Sequence, residues 1–334
     1  MARSTTLKIE PGSFPIPRDQ EAMVARPDGR DVALTNLRKV FFPATGATKG
    51  DLLQYYADVA PFLVPYMQDR AQVMKRYPNG ASGDFFYMKR TPSNAPAWLR
   101  TCSIEHGSGS VIAFPMIDDL AGLLWVINLG CIDLNEWYSR CDDTDRPDYL
   151  HFDLDPVKDG STTFATVRTV ALHVHEALEA LGIPAYAKTS GSAGIHVYVP
   201  IERGPMQKDV WTFAKAFAQT MERLHPDVIT AEYRIAKRPS GRVLVDYNQN
   251  AWGKTLASVY SVRARPQATV STPVTWDEVA AGIEIEDFRL DNVRERFARV
   301  GDLWAPMKST TRLKLERFLP EQPAKRGRRK ADSG

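Results

Sequence analysis

HFDLDP, residues 151–156, sets two aspartates inside an apolar run. Residues two apart on a strand point to the same face, so Asp153 and Asp155 project together while Phe152 and Leu154 face a core. Two adjacent carboxylates repel unless a proton or a cation lies between them. Hard oxygen donors suit Mg²⁺ or Mn²⁺ better than zinc, and Pro156 ends the strand. Alone, such a pair is commonly no more than strand-end surface charge. A second acidic strand adds weight: in RVLVDYNQN (242–250), Asp246 follows the apolar run Val243 to Val245. By itself Asp246 reads equally as a strand-end cap or an ion-pair partner. Beside the first two it would complete a two-metal site, the kind that clamps the attacking and leaving oxygens of a phosphoryl transfer. The third piece is TSGSAGIHVYV (189–199). Its small residues Ser190, Gly191, Ser192 and Gly194 let backbone N–H groups approach an anion. The serines add hydroxyl donors, and His196 opens the next strand within reach of a phosphate oxygen. Standing alone, this turn reads as a hairpin with a satisfied histidine; between two acidic strands it reads as a triphosphate cradle.

Around these motifs the periodicities predict a mixed α+β chain. A helix is expected from Gly50 to about Met67, on the stripe Leu52, Leu53, Tyr56, Val59, Ala60 and Leu63. Thr48 and Asp51 resemble a capping pair, and Pro61 and Pro65 are expected to kink or end the helix. Further helices are expected over 117–130, over 161–181 with Ser161 or Thr162 as cap, and over 208–224. Strands are expected near 71–77, 84–90, 110–114, 149–155, 185–190, 195–201, 242–247 and 257–264. No regular βαβ rhythm joins them, which favours a largely antiparallel sheet.

Composition bounds the partners. The 334 residues carry 43 basic and 40 acidic side chains, a net charge of +3. Residues 321–334 hold five basic and two acidic residues and so account for that whole excess. Any nucleic-acid groove must therefore come from charge segregated over the fold. The tail PAKRGRRKADSG reads as disordered, a solvated end or a sequence-blind phosphate tether. No membrane-spanning run or secretory leader is visible, so a cytoplasmic location, in a bacterium the nucleoid, is expected. Cys102, Cys131 and Cys141 are widely spaced, and neither a disulfide framework nor a zinc ribbon is indicated. His173 and His175 lie two apart on a helix, where they do not share a face for a metal.

Together, HFDLDP, SGSAGIHVY and VLVDYNQN resemble the three signature motifs of the archaeo-eukaryotic primase superfamily. The similarity is to the polymerase domain of bacterial ATP-dependent DNA ligase D and its stand-alone relatives. It extends from about Leu34 to about Trp304 through LTNLRKVFFPATGATKGD, RYPNG, FFYMKR and YSVRA. The resemblance implies a primase-polymerase fold: a largely antiparallel, RRM-like catalytic sheet flanked by helices, with a second, smaller sheet. Composition adds an N-terminal extension (1–30), rich in Pro, Gly and charge and expected to pack on the surface, before a catalytic domain (31–305) and a basic, disordered tail (306–334). With no ligase or nuclease segment in view, a stand-alone primase-polymerase is expected.

Residue by residue, the resemblance assigns Asp153, Asp155 and Asp246 to two divalent ions, Mn²⁺ or Mg²⁺, that bind a nucleoside triphosphate and align a primer 3′-hydroxyl. Ser190 and His196 would contact the triphosphate. Gln249, Lys254 and Arg263 match positions near the incoming nucleotide, and Lys75 lies near its path together with Arg76. Asn36, Lys39 and Lys49 match residues that bind the 5′-phosphate of a downstream strand, and Lys49 lies where a helix begins, a place that favours phosphate. Phe85 and Phe86 match a template-stacking pair; as strand neighbours, one of them is expected in the core. The chain departs from the family where it has Ala193 in place of a basic turn residue and Asn135 in place of a histidine. RIAKRPSGR (234–242) resembles a mobile loop that positions DNA ends, with Arg238 as its candidate. The implied activity is template-dependent nucleotide addition, preferentially of ribonucleotides, across short gaps in excision repair or end joining. Gapped or primer–template DNA, a DNA ligase acting in trans and repair factors are the expected partners. A metal-dependent nuclease and a non-catalytic DNA-end binder are the alternatives.

Overall fold

Alternating apolar residues in the motif strands build one six-stranded sheet. The computed structural model describes residues 14–309 and 312–319. Along the chain, β1 (Ala22–Ala25) pairs with β2 (Val32–Thr35), and β3 (Val40–Phe42) with β4 (Ala47–Thr48). Helix α1 (Lys49–Met67), β5 (Gln72–Arg76), β6 (Phe86–Met88), the β7–β8 pair (Thr101–Glu105, Val111–Pro115), α2 (Leu120–Asn128) and β9 (Cys131–Trp137) follow. Then come β10 (Tyr149–Pro156), α3 (Phe164–Ala180), β11 (Tyr186–Thr189), β12 (Ile195–Pro200), α4 (Gln207–Leu224), β13 (Ile229–Thr230), β14 (Val243–Asp246), β15 (Thr255–Ala257) and β16 (Pro273–Val274). Helices α5 (Trp276–Ala281), α6 (Val293–Val300) and α7 (Ala305–Ser309) complete the set. The main sheet has the order β13-β14-β10-β12-β11-β16, antiparallel except for β13 with β14; the second sheet has the order β15-β9-β5-β6. This is the expected α+β class with a larger antiparallel sheet and a smaller one.

The apolar face of β10 carries Phe152 and Leu154 against α3 and α4, where the Phe152 and Phe217 rings lie 4.8 Å apart. Val167, Val170, Val174 and Leu178 form the buried stripe of α3. Each such side chain contributes roughly 1.5–3 kcal/mol when buried, and Phe152→Ala is the single change expected to open this core, at a cost of about 3–5 kcal/mol. With that face sealed by helices, the other face of the sheet is left for the charged residues, against the second sheet.

Several sequence expectations need correction. Pro61 and Pro65 lie inside α1, which runs on to Met67. Burial of Tyr55, Tyr56, Val59, Leu63 and Met67 outweighs the backbone hydrogen bond each proline removes. The capping pair Thr48 and Asp51 is present in both directions. The cap of α3 is Thr163, not Ser161 or Thr162. Ser161 instead spends its N–H and hydroxyl on Asp159 Oδ1. The strand expected over 257–264 stops at Ala257. Beyond it Tyr260 takes φ 62°, the Val262 amide goes to Tyr56 Oη, and the segment keeps only an isolated bridge, Val262 to Val270, instead of a continuous strand. Cys102 and Cys141, 39 residues apart, form a disulfide that the spacing did not suggest. The tail expected from residue 306 begins as packed chain: Met307, Leu313 and Leu315 are buried, and Leu313 N–H donates to Pro200 O. At the other end, the side chains of Ile16 and Ala25 pack into the core. The basic stretch from 320 onward lies outside the described residues. None of the described helices is long and apolar enough to cross a membrane.

Candidate active site

Strand register assembles the site. Asp153 on β10 stands opposite Asp246 on β14 and, on its other side, opposite His196 on β12; His196 in turn stands opposite Lys188 on β11. Directly paired residues share a face, so Lys188, His196, Asp153 and Asp246 form one row across four strands. Asp155 lies one step further along the same face of β10.

The carboxylates of this row are uncomfortable. Burial pushes Asp153 up to about 6, only partly offset by Lys188 and Arg263. The Asp153 charge, then burial, pushes Asp155 up to about 7. Asp246 is raised by burial and by Asp153. His196 Nε2 lies 3.2 Å from Asp153 Oδ1, and this buried oxygen has no hydrogen-bond partner. Asp246 is oriented instead, with Oδ1 accepting from Asn248 N–H at 2.8 Å and Oδ2 from the Gln249 amide at 3.3 Å. Buried, mutually repelling oxygens with an orphan among them match the donor set of a hard divalent cation. Among the described residues no group of three or more His, Cys, Asp or Glu is already drawn together as an ion cage.

The turn between β11 and β12 departs from the free amide nest expected of it. The N–H groups of Ser192, Ala193 and Gly194 all converge on Ser190 Oγ, at 3.1, 3.2 and 2.9 Å. The hydroxyl fills the nest, and its own hydrogen is left to donate outward. Glycine is required twice here: Gly191 takes φ +65°, and a Cβ on Gly194 would lie 2.3 Å from Leu154 O. Gly194 thereby lets the turn sit directly on the β10 backbone between the two aspartates. Arg263 braces the turn by donating to Ser190 O at 2.6 Å.

Beside the turn lies a cavity of about 330 Å³ lined by Lys75, Tyr77, Phe85, Asp133, Ser192 and Arg263, among others. It joins four predicted site residues, Lys75, Phe85, Ser192 and Arg263, to Asp133, which sequence reasoning missed. Asp133 is buried; it accepts from Lys75 at 3.2 Å and Ala264 N–H at 3.0 Å and lies 3.6 Å from Arg263 Nε. Phe85 and Phe86 are both about half exposed, so neither belongs to the core. Phe85 precedes the edge strand β6 and packs on Tyr77 and Tyr87, with the Lys75 ammonium 4.2 Å from its ring centre. Lys254 is exposed. Arg238 braces its own loop through Glu232 O and Tyr233 O.

Lys39 and Lys49 meet where Lys49 N–H donates to Lys39 O, beside exposed Asn36. The start of α1 is not free to bind an anion: the Lys49, Gly50 and Asp51 amides are spent on Lys39 O, Leu37 O and Thr48 Oγ1. The Lys49 ammonium is buried and donates to Thr35 O and Asn128 Oδ1. Burial, with the nearby Lys39 and Arg76 charges, pulls it down to about 8. What this corner offers an anion is clustered positive charge rather than a helix terminus.

Asn250, also missed, ties the loop after β14 to β10: its amide donates to His151 O, and its oxygen accepts from His151 N–H. His173 stacks on His225 at 3.9 Å and His175 on Trp276 at 4.0 Å, so the two histidines face different partners.

The sequence matches the family described as LigD, primase-polymerase domain, over residues 48–304. The chain belongs to that family. It is thereby a nucleotidyltransferase domain of the polymerase type. It is 36% identical over 278 residues to the multifunctional non-homologous end joining protein LigD of Mycolicibacterium smegmatis, covering 83% of this chain and 36% of that protein. It is 29% identical over 278 residues to the bifunctional non-homologous end joining protein LigD of Bacillus subtilis, covering 83% of this chain and 44% of that protein. The chain thus spans less than half the length of these curated relatives. The solved polymerase domain from Mycobacterium tuberculosis Ligase D, in complex with DNA, superposes with a TM-score of 0.77 at 32% identity, covering 84% of this chain and 99% of that one.

Proposed function

We propose that this domain extends a primer 3′-hydroxyl across short gaps in DNA under repair, copying a template and preferring ribonucleotides. The observation that carries the reading is the row in which Asp153 stands opposite Asp246 with an unsatisfied buried oxygen. Asp153, Asp155 and Asp246 would hold two divalent ions, which supply Lewis acidity toward the primer hydroxyl and neutralise the triphosphate. Gln249 and the Asn248 amide keep Asp246 turned into the site. The Ser190 hydroxyl, polarised by three amides, donates to a phosphate oxygen, and His196 and Arg263 stand beside it for the same ligand. Lys254 adds exposed positive charge, while Lys75 and Phe85 line the cavity for the nucleotide or template base. Exposed Phe86 offers a second stacking surface, and Lys39, with Asn36 and Lys49 behind it, attracts a downstream 5′-phosphate.

End joining is the favoured pathway, because the relatives carry that description; excision repair is the second setting, and a ligase in trans seals the product. A labelled primer on gapped DNA, incubated with Mn²⁺ or Mg²⁺ and either ribo- or deoxynucleotides, tests this. Lengthening that is lost in Asp153→Ala supports polymerisation. A shortened primer assigns a nuclease. A repair function undiminished by Asp153→Ala and Asp155→Ala assigns a DNA-end binder.

A further inference from the structure

Lys188 is the buried lysine of the catalytic row, and the polymerase reading gives it no task. It lies in β11, inside the motif-bearing segment, with no measurable exposure. Its Nζ has three neighbours: Ala257 O at 2.8 Å, Ser271 Oγ at 2.6 Å and His196 Nδ1 at 2.8 Å. The directions of the first two are fixed. A carbonyl only accepts, and the Ser271 hydroxyl spends its own hydrogen on Thr189 O at 2.9 Å, so Ser271 Oγ accepts from Lys188. Two N–H bonds are thereby committed, and only the third position of Nζ faces the histidine.

That position admits two arrangements. If Nζ carries a third hydrogen, Nδ1 of His196 accepts it, and the ring proton resides on Nε2. If Nζ is a bare amine, Nδ1 must carry the proton, leaving Nε2 as a lone pair 3.2 Å from an Asp153 oxygen. Two acceptors at that distance repel, whereas an Nε2–H would meet an acceptor there. The first arrangement is the one consistent with the whole row.

We propose that Lys188 is a positioning residue for the polymerase site: held by Ala257 O and Ser271 Oγ, it donates to His196 Nδ1 and fixes that ring as the neutral tautomer with its proton on Nε2, facing Asp153 and the phosphates of a bound nucleotide. This deepens the polymerase reading and rests on it for the identity of the ligand, but not for the tautomer itself. A histidine whose far nitrogen is occupied presents a single, pre-aimed donor, the same logic by which a metal-bound histidine is oriented by the partner of its second nitrogen. The lysine acts through His196 and does not itself reach the carboxylates.

The test is ¹⁵N NMR of the histidine side chains in the metal-free full chain at neutral pH, with the His196 signal assigned by its loss in His196→Gln. The expected result is a pyrrole-like Nε2 and a pyridine-like Nδ1. A pyrrole-like Nδ1, or an imidazolium with both nitrogens protonated, overturns the proposal. Lys188→Met, checked for folding by circular dichroism, is expected to lose the single tautomer and to raise KM for the nucleotide about ten-fold or more with a smaller change in kcat. Lys188→Gln, which keeps an N–H donor, is expected to recover part of both. A folded Lys188→Met protein that retains the Nε2–H tautomer also overturns the proposal. Should the wild-type ring carry its proton on Nε2 while no primer is extended, the polymerase reading fails and the Lys188 assignment stands. The converse pattern sinks the Lys188 assignment alone.

Discussion

Strand β10 has a buried acid at each end, and the two are treated in opposite ways. Just before its start, Asp148 is gripped by Arg70 at 2.7 and 2.8 Å and by Arg140 at 2.9 Å. Arg70 also donates to Tyr66 O and Tyr138 O and lies 4.6 Å over the Tyr149 ring. Burial alone would raise Asp148, but the two guanidiniums hold it below the usual carboxylate range. At the other end Asp153, Asp155 and Asp246 are raised, and Asp153 keeps an unpaired oxygen. Between Asp148 and Asp155 the chain therefore passes from a saturated acid to an unsaturated cluster, which Asp246 completes from β14. The first end has every lone pair it needs answered by protein and is structural. The second is held in a state that a ligand from outside would relieve, the signature of a functional site.

Breaking the comparison should give opposite signs at the two ends. The largest effect expected is on catalysis: Asp155→Asn lowers primer extension about a thousand-fold or more, read in a gel assay under saturating nucleotide. Next is Arg70→Met, which strands Asp148 without its main partner and costs about 3–5 kcal/mol, measured by urea denaturation. Phe85→Ala removes a half-exposed ring and is expected to weaken template–primer binding by about ten-fold, the worth of one stacked base, read by fluorescence anisotropy. Asp155→Asn should also stabilise the metal-free protein at pH 8 by on the order of 1–2 kcal/mol, seen as a higher melting temperature. The sign follows from the shifts. Asp153 and Asp155 have folded pKa values of about 6 and 7, above their ordinary value, so their contribution to metal-free stability is full at low pH and is lost as pH rises through that range. The gain from Asp155→Asn should accordingly shrink at acid pH. Smallest is Lys39→Ala, expected to reduce the preference for a 5′-phosphorylated gap about two- to five-fold, as befits an exposed charge.

The unsaturated end was legible in the sequence, whereas most of what surrounds it was not. An apolar run interrupted by charge at two-residue spacing gives strand and face together, so HFDLDP and VLVDY announce themselves. Gly194 was legible as part of a turn, although its reason, contact with Leu154 O, is tertiary. Lys188, Asp133 and Asn250 carry no such signal. Each is an ordinary polar residue on a strand or loop until a partner 69, 131 or 99 residues away is brought to it. Arg70 and Asp148, 78 residues apart, were invisible for the same reason. The start of α1 was misjudged because its amides are answered by Leu37 and Lys39, in the turn before β3, and by Thr48, a matter of local chain path rather than of composition. The segment after Ala257 has the β-branched and aromatic look of a strand, but its amides find Tyr56 and the Ser271 loop first. The disulfide pairing depended on where the β7–β8 hairpin folds, which no cysteine spacing encodes.

The central claim, that the carboxylates of β10 and β14 form one site for divalent cations, is tested most directly by titrating the protein with Mn²⁺ and following the free-ion EPR signal. The account predicts binding at pH 8 that weakens as pH falls toward 6 and that is lost in Asp153→Asn and in Asp246→Asn alike. Binding that survives Asp246→Asn undiminished, or that is indifferent to pH across that range, would contradict it.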